Sequence, residues 1–105
     1  MATENERRIK RETLIARKAV RCLLDAGYSV GVYDGEATAL KPTTDRRAIY
    51  NAMASTDEDW LLADRNGQEA GWVRLIYGND TDLISDYTVS LEDAIKPACE
   101  YAEKL

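Results

Sequence analysis

Along the first quarter of the chain, Ile9, Thr13, Ala16, Val20 and Leu23 recur at spacings of three and four, and Ile15, Ala19, Cys22 and Ala26 widen that stripe. The period predicts an amphipathic helix from about Glu6 to Ala26, with Gly27 placed for a left-handed C-terminal cap. The period then changes to two. Tyr28-Ser29-Val30-Gly31-Val32-Tyr33 alternates, is rich in β-favouring side chains and stops at Asp34-Gly35, which predicts a strand; Gly31 either weakens it or marks a close contact. Thr38 to Lys41 has no clear period. Beyond Pro42, Thr43 or Thr44 is placed to cap a short second helix that ends near Ala54, with Ala48, Ile49, Ala52 and Met53 on one face.

Asp59 to Arg65 and Gln68 to Tyr77 flank Asn66-Gly67, the pair favoured where both central residues of a type I′ turn take positive φ, so a β-hairpin is expected. If that turn alone sets the register, Trp60 faces Val73, Leu62 faces Gly71, Leu61 faces Trp72 and Ala63 faces Ala70; a bulge would shift these pairs. Val73 and Leu75 fall on the buried face, and Trp72, Arg74 and Ile76 on the other. Gly78-Asn79-Asp80-Thr81 turns the chain into a further strand, Asp82 to Val89, completing a three-stranded meander. Ser90 is placed to cap a last helix with Leu91, Ala94, Ile95, Ala98, Ala102 and Leu105 inside, which Pro97 should kink or split. The expected order is α-β-α-β-β-β-α: an α+β fold with helices on a small antiparallel sheet made of the meander plus one earlier strand.

At 105 residues this is one domain, spanning 1–105 with its first few residues expected to be loosely ordered, and long enough to bury roughly two-thirds of its unfolded surface. The net charge of −5 hides a split. Met1 to Ala26 hold seven basic and four acidic side chains, whereas Asp57 to Asp93 hold ten carboxylates and only Arg65 and Arg74 as bases. The acidic half repels nucleic acid and invites basic partners. The basic helix, with Arg7, Arg8, Lys10, Arg11, Arg17, Lys18 and Arg21, keeps weak phosphate binding open as the alternative, although a solvated outer face has the same composition. The polar opening residues lack the apolar stretch of a secretory signal and the run of about 20 that a membrane span needs, so a cytoplasmic address and no membrane partner are expected.

Candidate chemistry is sparse. Without a single histidine the usual general base, commonest metal ligand and physiological pH switch are all missing. Cys22 and Cys99 sit on apolar helix faces without metal-ligand spacing and are expected to be reduced core thiols. Gly78-Asn79-Asp80-Thr81-Asp82 has a calcium-loop look, but counting from Asp80 puts Ile84 and Leu91 where the fifth and twelfth ligands belong. Asp57-Glu58-Asp59 and Asp64 with Glu69 could pair for acid–base work, yet acids around a turn are normally solvated. Trp72, Tyr77 and Tyr87 could stack bases, but this acidic region is a poor field for that role. No enzyme activity, cofactor or metal site is expected.

The block Ala70-Gly71-Trp72-Val73-Arg74-Leu75-Ile76-Tyr77-Gly78-Asn79-Asp80, followed by Leu83-Ile84-Ser85-Asp86-Tyr87-Thr88, resembles a motif of small uncharacterised proteins of tailed phages and prophages. In them a "GWV…YGND…ISDYT" block follows a charged helix and a strand ending like Val32-Tyr33-Asp34-Gly35 here; the likeness covers roughly Ala26 to Leu91. It implies an accessory product of a mobile element, a group with many small acidic proteins that bind and inhibit host machinery, and it carries no catalytic residues. The expected partner is therefore a host or phage protein, or a second copy of the chain as a homodimer, with nucleic acid disfavoured. Carboxylates at near-phosphate spacing would let such an inhibitor mimic DNA. The candidate docking surface is the face with Trp72, Arg74 and Tyr87, rimmed by Asn79, Asp80 and Asp82, since an aromatic anchor beside an arginine has the composition of an interface hot spot.

Overall fold

The computed structural model describes residues 1–105. Helix α1 (Glu4–Asp25) starts two residues before the periodicity does, because Thr3 and Glu6 form a capping box in which the Thr3 hydroxyl accepts from the Glu6 N–H at 3.1 Å. It ends as expected at Gly27, whose φ of +94° lets its N–H reach the Leu24 carbonyl at 3.0 Å while Tyr28 N–H reaches Leu23 at 3.1 Å. Those two bonds make a Schellman motif.

Strand β1 (Ser29–Tyr33) follows, and then a strand the sequence did not announce. Thr38–Thr43 is β2, paired antiparallel to β1 at the sheet edge. It is mostly exposed and irregular in register, so it shows no alternation, and Pro42 is tolerated because an edge strand has one row of amides free of the ladder. Pro42 also explains Gly31, where an added Cβ would lie 3.0 Å from the Leu40 carbonyl oxygen and 3.1 Å from the proline ring. Helix α2 (Arg46–Ala52) is capped by Asp45 rather than by Thr43 or Thr44: the aspartate accepts from the Arg47 and Ala48 N–H groups at 3.1 and 3.3 Å, and Thr43 instead accepts from Asp45 N–H.

Strands β3 (Glu58–Arg65) and β4 (Gln68–Ile76) form the hairpin around Asn66 and Gly67, with φ of +55° and +80°. The turn pairs Arg65 with Gln68 and Asp64 with Glu69, then the register slips by one. Ala63 opposes Gly71, Leu62 opposes Trp72, Leu61 opposes Val73 and Trp60 opposes Arg74, so the pairs expected from the turn alone are corrected by a bulge at Ala70. β5 (Ile84–Tyr87) lies beyond β4, after a 3-10 turn at Asp80–Asp82, and the sheet order is β2-β1-β3-β4-β5, antiparallel throughout. The fold is α+β with three helices, and its order gains one strand over the expected one.

Ser90 does not cap the last helix. It lies within a 3-10 turn, Val89–Leu91, ahead of α3 (Glu92–Glu103), and its hydroxyl donates at 2.7 Å to the Ala70 carbonyl at the bulge. Helix α3 runs through Pro97 without splitting, since Pro97 and Asp93 are both exposed and water can serve the carbonyl that the proline leaves unpaired. Leu91, Ile95, Ala98 and Ala102 are buried as expected, while Leu105 is exposed. All three helices contribute to one core of 18 residues, which meets the sheet on Leu61, Ala63, Val73 and Leu75. No helix is long and apolar enough to cross a membrane.

The bulge leaves little room. A Cβ on Gly71 would stand 3.0 Å from Leu91 Cγ, Ser90 Oγ and Thr88 Cβ at once. Gly71→Ala should therefore destabilise the fold by about 1–3 kcal/mol, read as a lower urea midpoint. An unchanged midpoint would show that the Thr88–Leu91 turn does not press on β4.

Candidate functional site

The alternation that buries Leu61, Ala63, Val73 and Leu75 sends Glu58, Trp60, Leu62, Trp72, Arg74 and Ile76 to the opposite face of the sheet. All six are half-buried, and the four apolar ones stand apart from the core cluster that all the helices join. The bulge decides who meets whom. Trp60 and Trp72 sit on diagonal positions with ring centroids 4.9 Å apart at 61°, an edge-to-face pair. Arg74, directly opposite Trp60, holds its guanidinium 5.1 Å from that ring and pairs with Glu58 at 2.9 Å. Tyr33 and Asp86 extend this row on the flanking strands β1 and β5, giving Tyr33, Trp60, Arg74 and Asp86 in sequence across the sheet. The result is a pre-ordered aromatic surface with a fixed cation.

The expected site does not stay together. Trp72 and Arg74 belong to this open face, but Tyr87 opposes Val73 and packs against the core on the helix side. Its placement as a face-mate of Trp72 is corrected: an irregularity between Arg74 and Leu75 resets the β5 register, so Asp86 rather than Tyr87 takes the open side. Asp80 also turns away. Both its oxygens accept from Arg11 on α1 at 2.7 Å, and this bidentate bond holds the Asp80 carboxyl below its usual range. Asn79 and Asp82 are exposed at the same corner.

Two buried carboxylates organise the opposite side. Asp59, expected to be solvated, is fully buried and accepts from the Tyr77 hydroxyl at 2.5 Å and the Ala54 N–H at 2.7 Å, while its Oδ1 has no partner. It shares parity with Leu61 and Ala63, which is why it points inward. Burial pushes its pKa up, against the lowering pull of those two hydrogen bonds, and burial also raises the Tyr77 phenol. Glu12 is likewise buried, four residues before Ala16 on the inner stripe of α1. It accepts from Gly78 N–H at 2.7 Å, Asp80 N–H at 2.8 Å and Arg8 at 3.0 Å. Both carboxylates hold strained corners: Ala54 and Asp80 are non-glycine residues at φ of +64° and +56°, and each has its amide captured by one of them. Sequence parity could have flagged both acids; their partners, 66 and 68 residues from Glu12, could not be read from it.

Between α1 and the chain after α2 runs a groove of about 290 Å³ that includes Arg8, Glu12, Ala54, Asp57 and Tyr77 in its walls. Arg8, Glu12 and the Gly78 amide in it are engaged with one another and the Tyr77 hydroxyl with Asp59, whereas the exposed Asp57 carboxylate has no protein partner. Cys22 is buried and Cys99 half-buried as free thiols, both with pKa raised chiefly by burial, which suits the expected core role and suppresses the thiolate.

The chain matches no family model, no curated protein and no solved structure. The functional reading therefore rests on the residues themselves.

Proposed function

We propose that this chain is a small, non-enzymatic protein-binding module of phage or prophage type, acting in the cytoplasm as an inhibitor of a host protein and docking through its open sheet face. The observation that carries the reading is the Trp60–Trp72 pair, flanked by Arg74, on a face outside the helix-bearing core. Tryptophan and arginine dominate binding hot spots because each desolvates a large surface while keeping a directional polar or cationic group. The remaining support is the absence of histidine, the phage-like block and the acidic surroundings, Asp64, Glu69 and Asp86, which favour a basic partner over a second acidic copy. DNA mimicry is not part of the proposal, since Asp59 is buried and Glu58 and Asp80 are neutralised by arginines.

A pull-down from bacterial lysate should recover a specific protein, and Trp72→Ala should weaken that complex by about 2 kcal/mol or more. Because Trp72 lies outside the core, the variant should still melt cooperatively. Collapse of its thermal transition, or empty pull-downs from several hosts, would sink the reading. The alternative, weak nucleic-acid binding through α1, keeps support from Lys10, Arg17, Lys18 and Arg21, which make no ion pair, whereas Arg7, Arg8 and Arg11 are tied to acids.

A further inference from the structure

Four arginines, Arg7, Arg8, Arg11 and Arg74, form ion pairs, and Arg65 stacks on Tyr28 and donates to the Ala26 carbonyl. Arg17, Arg46 and Arg47 form none, yet they converge from α1 and α2 on one hollow of about 310 Å³, whose other walls are Tyr50 and Asn51. Arg17 holds its guanidinium 4.9 Å from the Tyr50 ring, which fixes one wall in place. The adjacent acid, Asp45, is occupied with capping the Arg47 and Ala48 amides. In a chain with 19 acidic side chains and net charge −5, three unpaired guanidiniums around one concavity are a local inversion of charge. Such a cluster repels itself unless an anion joins it.

We propose that this hollow is a phosphoryl-anion site, taking the mono- or diphosphate group of a small ligand independently of the sheet face. Guanidinium forks match phosphoryl oxygens two at a time, so Arg46 and Arg47 would clamp the group against the Tyr50-braced Arg17, with the Asn51 amide as a further donor. The volume lies at the small end of ligand pockets, which suits a diphosphate better than a polymer. Lys10, Lys18 and Arg21, the unpaired basic residues of α1 outside the hollow, would take part in a phosphate track along that helix but not in this site.

The test is a titration of the isotope-labelled chain with sodium pyrophosphate, followed by amide shifts and matched against sodium chloride of equal ionic strength. Saturable shifts should centre on Arg17, Arg46, Arg47, Tyr50 and Asn51. Arg46→Ala and Arg47→Ala should each weaken binding about tenfold or more, with Lys10→Ala and Arg21→Ala unchanged. Both arginines are exposed, so unaltered spectra elsewhere will confirm that the variants fold. A second arm uses a single-stranded oligonucleotide: if it binds, and Lys10→Ala and Arg21→Ala weaken it as much as Arg46→Ala, the cluster is part of a backbone track and the compact site is overturned. Shifts no larger than those with chloride would overturn it as well.

Discussion

Glu12→Ala is expected to remove about 3–5 kcal/mol of folding stability, a drop in melting temperature of about 12–20 °C or more for a domain of this size. The substitution leaves the Gly78 and Asp80 amides without their acceptor in a part-buried corner, each worth about 1–3 kcal/mol, and strips Arg8 of its carboxylate. It also releases Asp80, a non-glycine residue at φ +56°, from the contact that holds its backbone. Glu12→Gln should fall between, because its carbonyl can still accept from both amides while its NH2 meets the Arg8 guanidinium donor to donor. Thermal melting and urea denaturation of the two variants check this order. Equal stability of Glu12→Ala and the parent chain would mean that the corner between α1 and the β4–β5 turn is held by Arg11 and Asp80 alone.

That corner explains why the candidate surface was only half legible in the sequence. Alternation placed Trp72, Arg74 and Ile76 opposite Val73 and Leu75 correctly, because parity within a strand survives any shift of partner. Partners across strands did not survive, since one extra residue at Ala70 moved every pair beyond it and a second irregularity after Arg74 turned Tyr87 inward. Bulges carry no period, and Ala70 has no turn-forming side chain to announce one. Asp80 looked like a rim residue for a similar reason: its partner Arg11 lies 69 positions away and only the folded chain brings them together. β2 escaped because an exposed edge strand buries no face and so writes no alternation. By contrast α1, its Gly27 terminus and the Asn66-Gly67 turn were legible, each being fixed by contacts within a few residues.

Asp59 gives the second large effect, and one with a sign that pH reveals. Asp59→Ala should destabilise the fold by about 3 kcal/mol at about pH 4 and below, where the parent carboxyl contributes fully, because the Tyr77 hydroxyl and the Ala54 amide lose their acceptor, and by less as pH rises. Asp59→Asn behaves differently. Its side-chain oxygen can accept both bonds, and it carries no charge to be desolvated. In the parent chain burial raises the Asp59 pKa above the unfolded value of about 3.9. Below that value the carboxyl is neutral in both states and its contribution to stability is fully present. As pH rises, the unfolded chain releases the proton first, so the folded state holds more protons and stability falls with pH until the folded group itself ionises. The partnerless Oδ1 sharpens the effect, since a charge there meets no donor. Asp34 and Asp80, whose carboxyls lie below the usual range, act with the opposite sign, but they are present in both chains and cancel in the comparison. The stability of Asp59→Asn relative to the parent, from urea denaturation at a series of pH values, should therefore climb as pH rises above about 4 and level off once the folded carboxyl has ionised. Two parallel pH curves would show that Asp59 ionises normally in the fold, and the account of burial as raising its pKa would fail.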